Sequence, residues 1–179
     1  MFEPAFLGKA TLAQPGAYAH APPGAGRAWW KHHIMNTRAY LEATLAGDSA
    51  GALAALKELW QGVLDWQRIT GSWAEGLLIA EHTALAKLLI DCAVKNNDAC
   101  IGAAADALGR NVAAQSGLFP RDPAGFVELF DLHVKITGQY ITDLAQGRRS
   151  DFDTDFSSAL QNGNDLGDFT DRMFLGIFR

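Results

Sequence analysis

The stretch from Trp73 to Val94, WAEGLLIAEHTALAKLLIDCAV, is the longest strongly apolar helical run in the chain. At about 100° per residue, Leu78, Leu85, Ala86, Leu89 and Ala93 point the same way as His82, while Glu81, Lys87, Asp91 and Lys95 point the other way. A helix with this pattern must bury one face among other helices. It also places a histidine at the centre of that face, where an imidazole is costly unless something satisfies it.

The remaining segments repeat the helical period, and no strand-like alternation stands out. Helices are expected at about 28–46, 50–68, 73–95, 99–116 and 123–146, with a last one from about Asp151. Gly47-Asp48-Ser49, Thr70-Gly71-Ser72 and Asn96-Asn97-Asp98 carry stop-and-cap chemistry, and Pro123 suits the first turn of a helix. Leu53, Leu56, Leu59, Trp60, Val63 and Leu64 form the expected inner stripe of the second helix, with Gln67 on it. Phe156, Leu160, Leu166, Met173, Phe174 and Ile177 form that of the last. Connections this short make successive helices antiparallel. The expected fold is all-α: an antiparallel bundle of about six helices over residues 28–179, preceded by a non-helical arm over 1–27. That arm holds Pro4, Pro15, Pro22 and Pro23 with Gly8, Gly16, Gly24 and Gly26.

A chain of 179 residues, 49% hydrophobic and 20% charged, suits one domain with a substantial core. The formal net charge of −5 and the absence of a basic stripe exclude a nucleic-acid-binding face. No apolar run approaches the length of a membrane span, and the first residues do not read as a signal peptide, so a cytoplasmic protein is expected. Cys92 and Cys100 fit no metal spacing and read as two thiols in a reducing compartment.

Three histidines, His33, His82 and His133, fall on the apolar faces of the first, third and fifth helices. Those helices should run in the same direction, which brings the three to one level of the bundle. Asn111, Gln115 and Gln67 belong to the same half, Glu75 lies two turns before His82, and Thr137 one turn after His133. Three neutral imidazoles with an open fourth position suit a transition metal, namely zinc, copper or iron. The reading is therefore a metal- or small-ligand-binding bundle. His33, His82 and His133 are its metal ligands, and Glu75, Asn111, Gln115 and Thr137 its further ligand-binding residues. The alternative is a non-catalytic interaction protein in which the inward His/Asn/Gln network only fixes the packing. In that case the arm, with Trp29 and Trp30, makes the subunit contact. A homodimer is expected either way. No substrate signal marks the chain as an enzyme: it lacks Glu-x-x-His pairs, a glycine-rich phosphate loop, and any Ser/His/Asp arrangement.

From His32 onward the chain resembles a family of small helical bacterial proteins without an established function, some of which carry names such as glycosyltransferase or kinase. The matching residues are His32-His33-Ile34-Met35-x-Thr37-Arg38, Glu81-His82-x-Ala84, an Asn-x-x-Ala-like element at Asn111, and His133 four before Thr137. The chain departs from that pattern at Asn36, at Leu59-Trp60-Gln61, and in its proline-rich arm. The resemblance implies the helical fold and one core histidine on each of helices one, three and five.

Overall fold

The structure is a computed structural model that describes residues 21–119 and 121–175, with side chains to 173. Most of the expected arm, Pro120 and the stripe position Ile177 lie outside the described residues, and the stripe position Phe174 lies beyond the described side chains. Six helices follow in order: α1 (Ala25–Leu45), α2 (Ser49–Thr70), α3 (Trp73–Val94), α4 (Asp98–Ser116), α5 (Pro123–Ala145) and α6 (Arg149–Leu175). Together they form an all-α bundle with no strand among the described residues. No described helix is long and apolar enough to cross a membrane.

Local chemistry sets the boundaries. Asp48, Ser72, Asn97 and Asp122 each accept a backbone N–H three residues on, capping α2, α3, α4 and α5. Gly71 closes α2 in the left-handed region at φ 62°. α1 begins at Ala25, three residues earlier than the glycines and prolines around it predict. Its cap comes from the far end of the chain. The carboxylate of Asp171 on α6 accepts the N–H of Gly24 at 2.9 Å and of Gly26 at 2.8 Å. An anion there also complements the helix dipole. Gly167 makes the approach possible, because a Cβ on it would lie 2.5 Å from the Arg27 Cα.

Each helix packs on the next, and α6 packs on α1, so the six form a closed ring. Inside it α1, α3 and α5 also touch one another. These three run parallel, as the pairs His33–His82 and Tyr40–Asp91 show for α1 and α3. The core has two parts. One, toward the ends of α1, α3 and α5, is built on Leu41, Leu59, Ile90, Tyr140 and Phe152. The other, toward their starts, is aromatic: Trp29, Trp30, Trp66, Phe126, Phe130 and Phe169.

Three expectations need correction. The inner face of α2 is Ala55, Leu59, Gly62, Val63, Trp66 and Thr70. Leu53, Trp60 and Leu64, expected inside, are 55%, 42% and 49% exposed. The bare backbone at Gly62 explains the rotation, since it receives the Trp29 indole, whose Nε1 donates to the Gly62 carbonyl at 2.6 Å. Trp29 and Trp30 are 5% and 1% exposed within their own chain, so they cannot form the expected subunit contact. Finally, Cys92 and Cys100 form a disulfide, Cα to Cα 5.6 Å, rather than two thiols. The α3–α4 turn, with Asn96 at φ 52°, folds the chain back far enough to bring them together.

Candidate metal centre

His33, His82 and His133 reach the bundle axis from α1, α3 and α5, with 3%, 2% and 2% exposure. Their ring centroids form a nearly equilateral triangle: 5.5 Å from His33 to His82, 6.0 Å from His33 to His133 and 5.8 Å from His82 to His133. One ring nitrogen of each lies within 4.8 Å of the other two. A tetrahedral ion with bonds of about 2.0–2.1 Å wants its nitrogens about 3.3 Å apart, a shift of under about 1 Å for each ring.

Aromatic residues close one side of the triangle. Trp29 lies flat on His33 at 5.1 Å between centroids, with an 8° angle between planes. Trp30 stands edge-on to His133 at 5.1 Å, and Phe130 meets His82 at 4.9 Å. Trp66 backs Trp29 at 4.3 Å. Each of these contacts comes from a residue three or four positions before a histidine, or from the helix beside it. Helical side chains lean toward the N-terminus, so the rings settle onto these neighbours.

Burial in this wall pushes all three imidazoles down to a pKa of about 3, and the neighbouring histidines push in the same direction. At neutral pH the triad is three uncharged rings, each with one lone-pair nitrogen. The Nδ1 atoms of His82 and His133 have no hydrogen-bond partner. Asn162 of α6 is a candidate partner for His133. It lies beside His133 and favours that ring's protonated form, although neither its Oδ1 nor His133 Nδ1 has a bond of normal geometry. The Asn162 amide itself is anchored, donating to the Leu129 carbonyl at 3.0 Å. It is placed to steer His133 as a carbonyl oxygen steers a metal-binding histidine.

Glu75, Asn111 and Gln115 are buried in other surroundings. Glu75, fully buried, accepts from Trp66 Nε1 at 3.2 Å through one oxygen, and its other oxygen has no partner. Burial lifts its pKa to about 7, against the Trp66 bond, which lowers it. It sits about 10 Å before His82 along the α3 axis, too far to share an ion with it. Asn111 donates to the Leu78 carbonyl at 3.0 Å and to Glu81 at 2.9 Å, and Gln115 donates to Asn111 at 2.6 Å. Asn111 ties α4 to α3, Gln115 holds Asn111 from within α4, and neither bonds a histidine. Gln67 is half-buried and packs over Gly76. Thr137 is 6% exposed, one turn beyond His133, with an unpartnered hydroxyl.

Sequence reasoning missed Asn162, Thr83 and the aromatic wall. The signal for Asn162 was its place in the row Ala159, Asn162, Leu166, Phe169. That for Trp29 and Trp30 was their spacing of four and three before His33. Compared with family models, with curated proteins and with solved structures, the chain matches none.

Proposed function

We propose that this protein is a metal-binding bundle in which His33, His82 and His133 bind one divalent transition ion. The reading is carried by the meeting of three buried, uncharged imidazoles at one point, two of them with an unpartnered Nδ1. Burying such groups without partners costs several kcal/mol, and a bound ion would remove that cost by taking a lone pair from each. A donor set of three nitrogens, with no carboxylate among them, favours zinc, copper or iron over calcium or magnesium. The test is elemental analysis of the protein purified without a histidine tag, beside its His82→Ala variant. About one equivalent of metal in the first and none in the second is expected. Full metal content in His82→Ala would remove the assignment.

A second reading concerns assembly, and one observation favours it. We propose that two copies pair through the outer face of α2 and α3. Leu53, Trp60 and Leu64 on α2 and Trp73, Leu77 and Leu88 on α3 are between 42% and 64% exposed. An apolar row of this kind on a polar molecule marks an interaction surface. Two such helices, about 33 Å long and side by side, offer roughly 600–700 Å² per copy. A symmetric pair then reaches the range of specific interfaces, about 1,200 Å² in total or more.

A further inference from the structure

The wall around the triad is one-sided. Trp29, Trp30 and Phe130 cover the side toward the starts of α1 and α5. One turn beyond the histidines, on the other side, the same three helices carry Thr37, Ala86 and Thr137. Tyr140 follows on α5, fully buried.

The threonines of this bundle share a habit. Thr37, Thr44, Thr70, Thr142, Thr154 and Thr170 each donate their hydroxyl to the carbonyl four residues earlier. This is the ordinary way for a helical threonine to satisfy itself. Among the described residues two depart from it, Thr83 and Thr137, and both have buried hydroxyls with no partner. Thr83 directly follows His82, and Thr137 stands one turn after His133. Thr37 occupies the matching place after His33 and bonds back to the His33 carbonyl at 2.9 Å. Thr137, in the same register, leaves the His133 carbonyl alone. Its hydroxyl stands beside that of Tyr140, which also lacks a bond of normal geometry. Two buried hydroxyls without a bond of normal geometry thus stand together on the side of the triad that Trp29, Trp30 and Phe130 do not cover.

We propose that Thr137 and Tyr140 hold a small ligand on the side of the triad away from the aromatic wall, where it completes the coordination of the bound ion. That ligand is water in the resting protein, and an anion of two or three atoms can replace it. Water needs two to four polar partners to stay in a protein interior, and two hydroxyls with an ion meet that need. Full burial of the surrounding side chains limits the replacement to very small species. The proposal rests on the metal-binding reading above.

The test uses the full-length, untagged protein loaded with Co(II), whose visible spectrum reports its ligands, and titrates it with azide. Wild type should take up one equivalent of Co(II) and show a saturable azide-dependent change. Thr137→Val should keep its Co(II) but bind azide about tenfold more weakly or worse, the loss expected for one hydrogen bond to a charged group. Thr137→Ser, which keeps the hydroxyl, should restore binding. Tyr140→Phe provides the same reading if Thr137→Val does not fold. No Co(II) uptake by wild type overturns both this proposal and the metal-binding reading. Co(II) uptake with a spectrum blind to azide, or azide binding unchanged in both Thr137→Val and Tyr140→Phe, overturns this proposal alone.

Discussion

Trp29 lies parallel to His33, its ring 5.1 Å away and tilted by 8°. An indole stacked on a metal ligand reports on the metal. Adding Cu(II) or Co(II) to metal-free protein should quench much of the tryptophan fluorescence and level off at one equivalent. Trp29→Phe should remove a large part of the quenching. Trp60 and Trp73, 42% and 64% exposed, are too far out to supply it. An unquenched, fully folded protein would contradict a metal at the triad.

The same triad should weaken the protein when it is empty. A buried polar group without a partner is often replaced at no loss by an apolar one of similar size. His82→Leu should therefore melt as high as the metal-free wild type, or higher. It should also lose the rise in melting temperature that zinc gives wild type. Calorimetry with and without zinc checks both. A metal-free His82→Leu that is less stable by about 2 kcal/mol or more, a loss typical of core disruption, would point to a structural role for the ring.

Acid should unfold the metal-free protein steeply. The folded histidines stay neutral down to about pH 3, whereas unfolded histidine takes its proton near 6.5. Their contribution is complete above pH 6.5 and is lost as pH falls toward 3. Glu75 acts in the opposite sense, because its pKa rises from 4.5 to about 7 on folding. Its contribution is present below pH 4.5 and is lost as pH rises through 7. Between pH 4.5 and 6.5 the balance is about two protons, so stability should climb by roughly 3 kcal/mol per pH unit from these four groups. Urea unfolding across that range checks the slope, and Glu75→Gln should steepen it. A flat profile would mean that the rings are not buried as neutral species.

Closeness of α1 and α6 can be tested at one atom. A methyl group at position 167 would meet the Arg27 backbone at 2.5 Å. Gly167→Ala should cost about 1–3 kcal/mol, the usual penalty for overpacking. Its better helix propensity could return at most about 1 kcal/mol. Thermal unfolding of the variant decides, and an unchanged midpoint would show that the two helices part easily.

Pairing through α2 and α3 predicts that Trp60→Glu with Leu77→Glu gives a monomer with an intact helical spectrum and unchanged metal content. Both residues are exposed in the single chain, at 42% and 56%. Sedimentation of the variant beside wild type checks this. A monomeric wild type, or a dimeric variant, rejects the interface.

The helices and their histidines were legible in the sequence because each histidine sits on the apolar face of its helix. His133, on the face of Phe126, Phe130, Tyr140 and Ile141, shows this best. Helical phase and antiparallel order were enough to put the three at one level. Other features depended on contacts that periodicity does not encode. α2 turned because a glycine received an indole. α1 started early because a carboxylate 145 residues away accepts the Gly26 N–H. Asn162 was hidden because its row contains the small Ala159 and the polar Asn162 itself, whereas Phe156 and Leu160 drew the stripe elsewhere. The cysteine pair needed the geometry of the turn between α3 and α4, which spacing alone does not give.

Closure of the ring by Asp171 has a topological meaning. The end of α6 and the start of α1 lie side by side, so the six helices have no first or last member in space. The order in which they are made is separable from the order in which they pack. A short linker could join α6 to α1, and the chain could be opened at Thr70-Gly71-Ser72, an interhelical turn of the kind that tolerates permutation. Every packed pair would survive, and only the covalent link between α2 and α3 would be lost. The permuted chain would meet its three histidines in the order His82, His133, His33 and would build the same triangle from them.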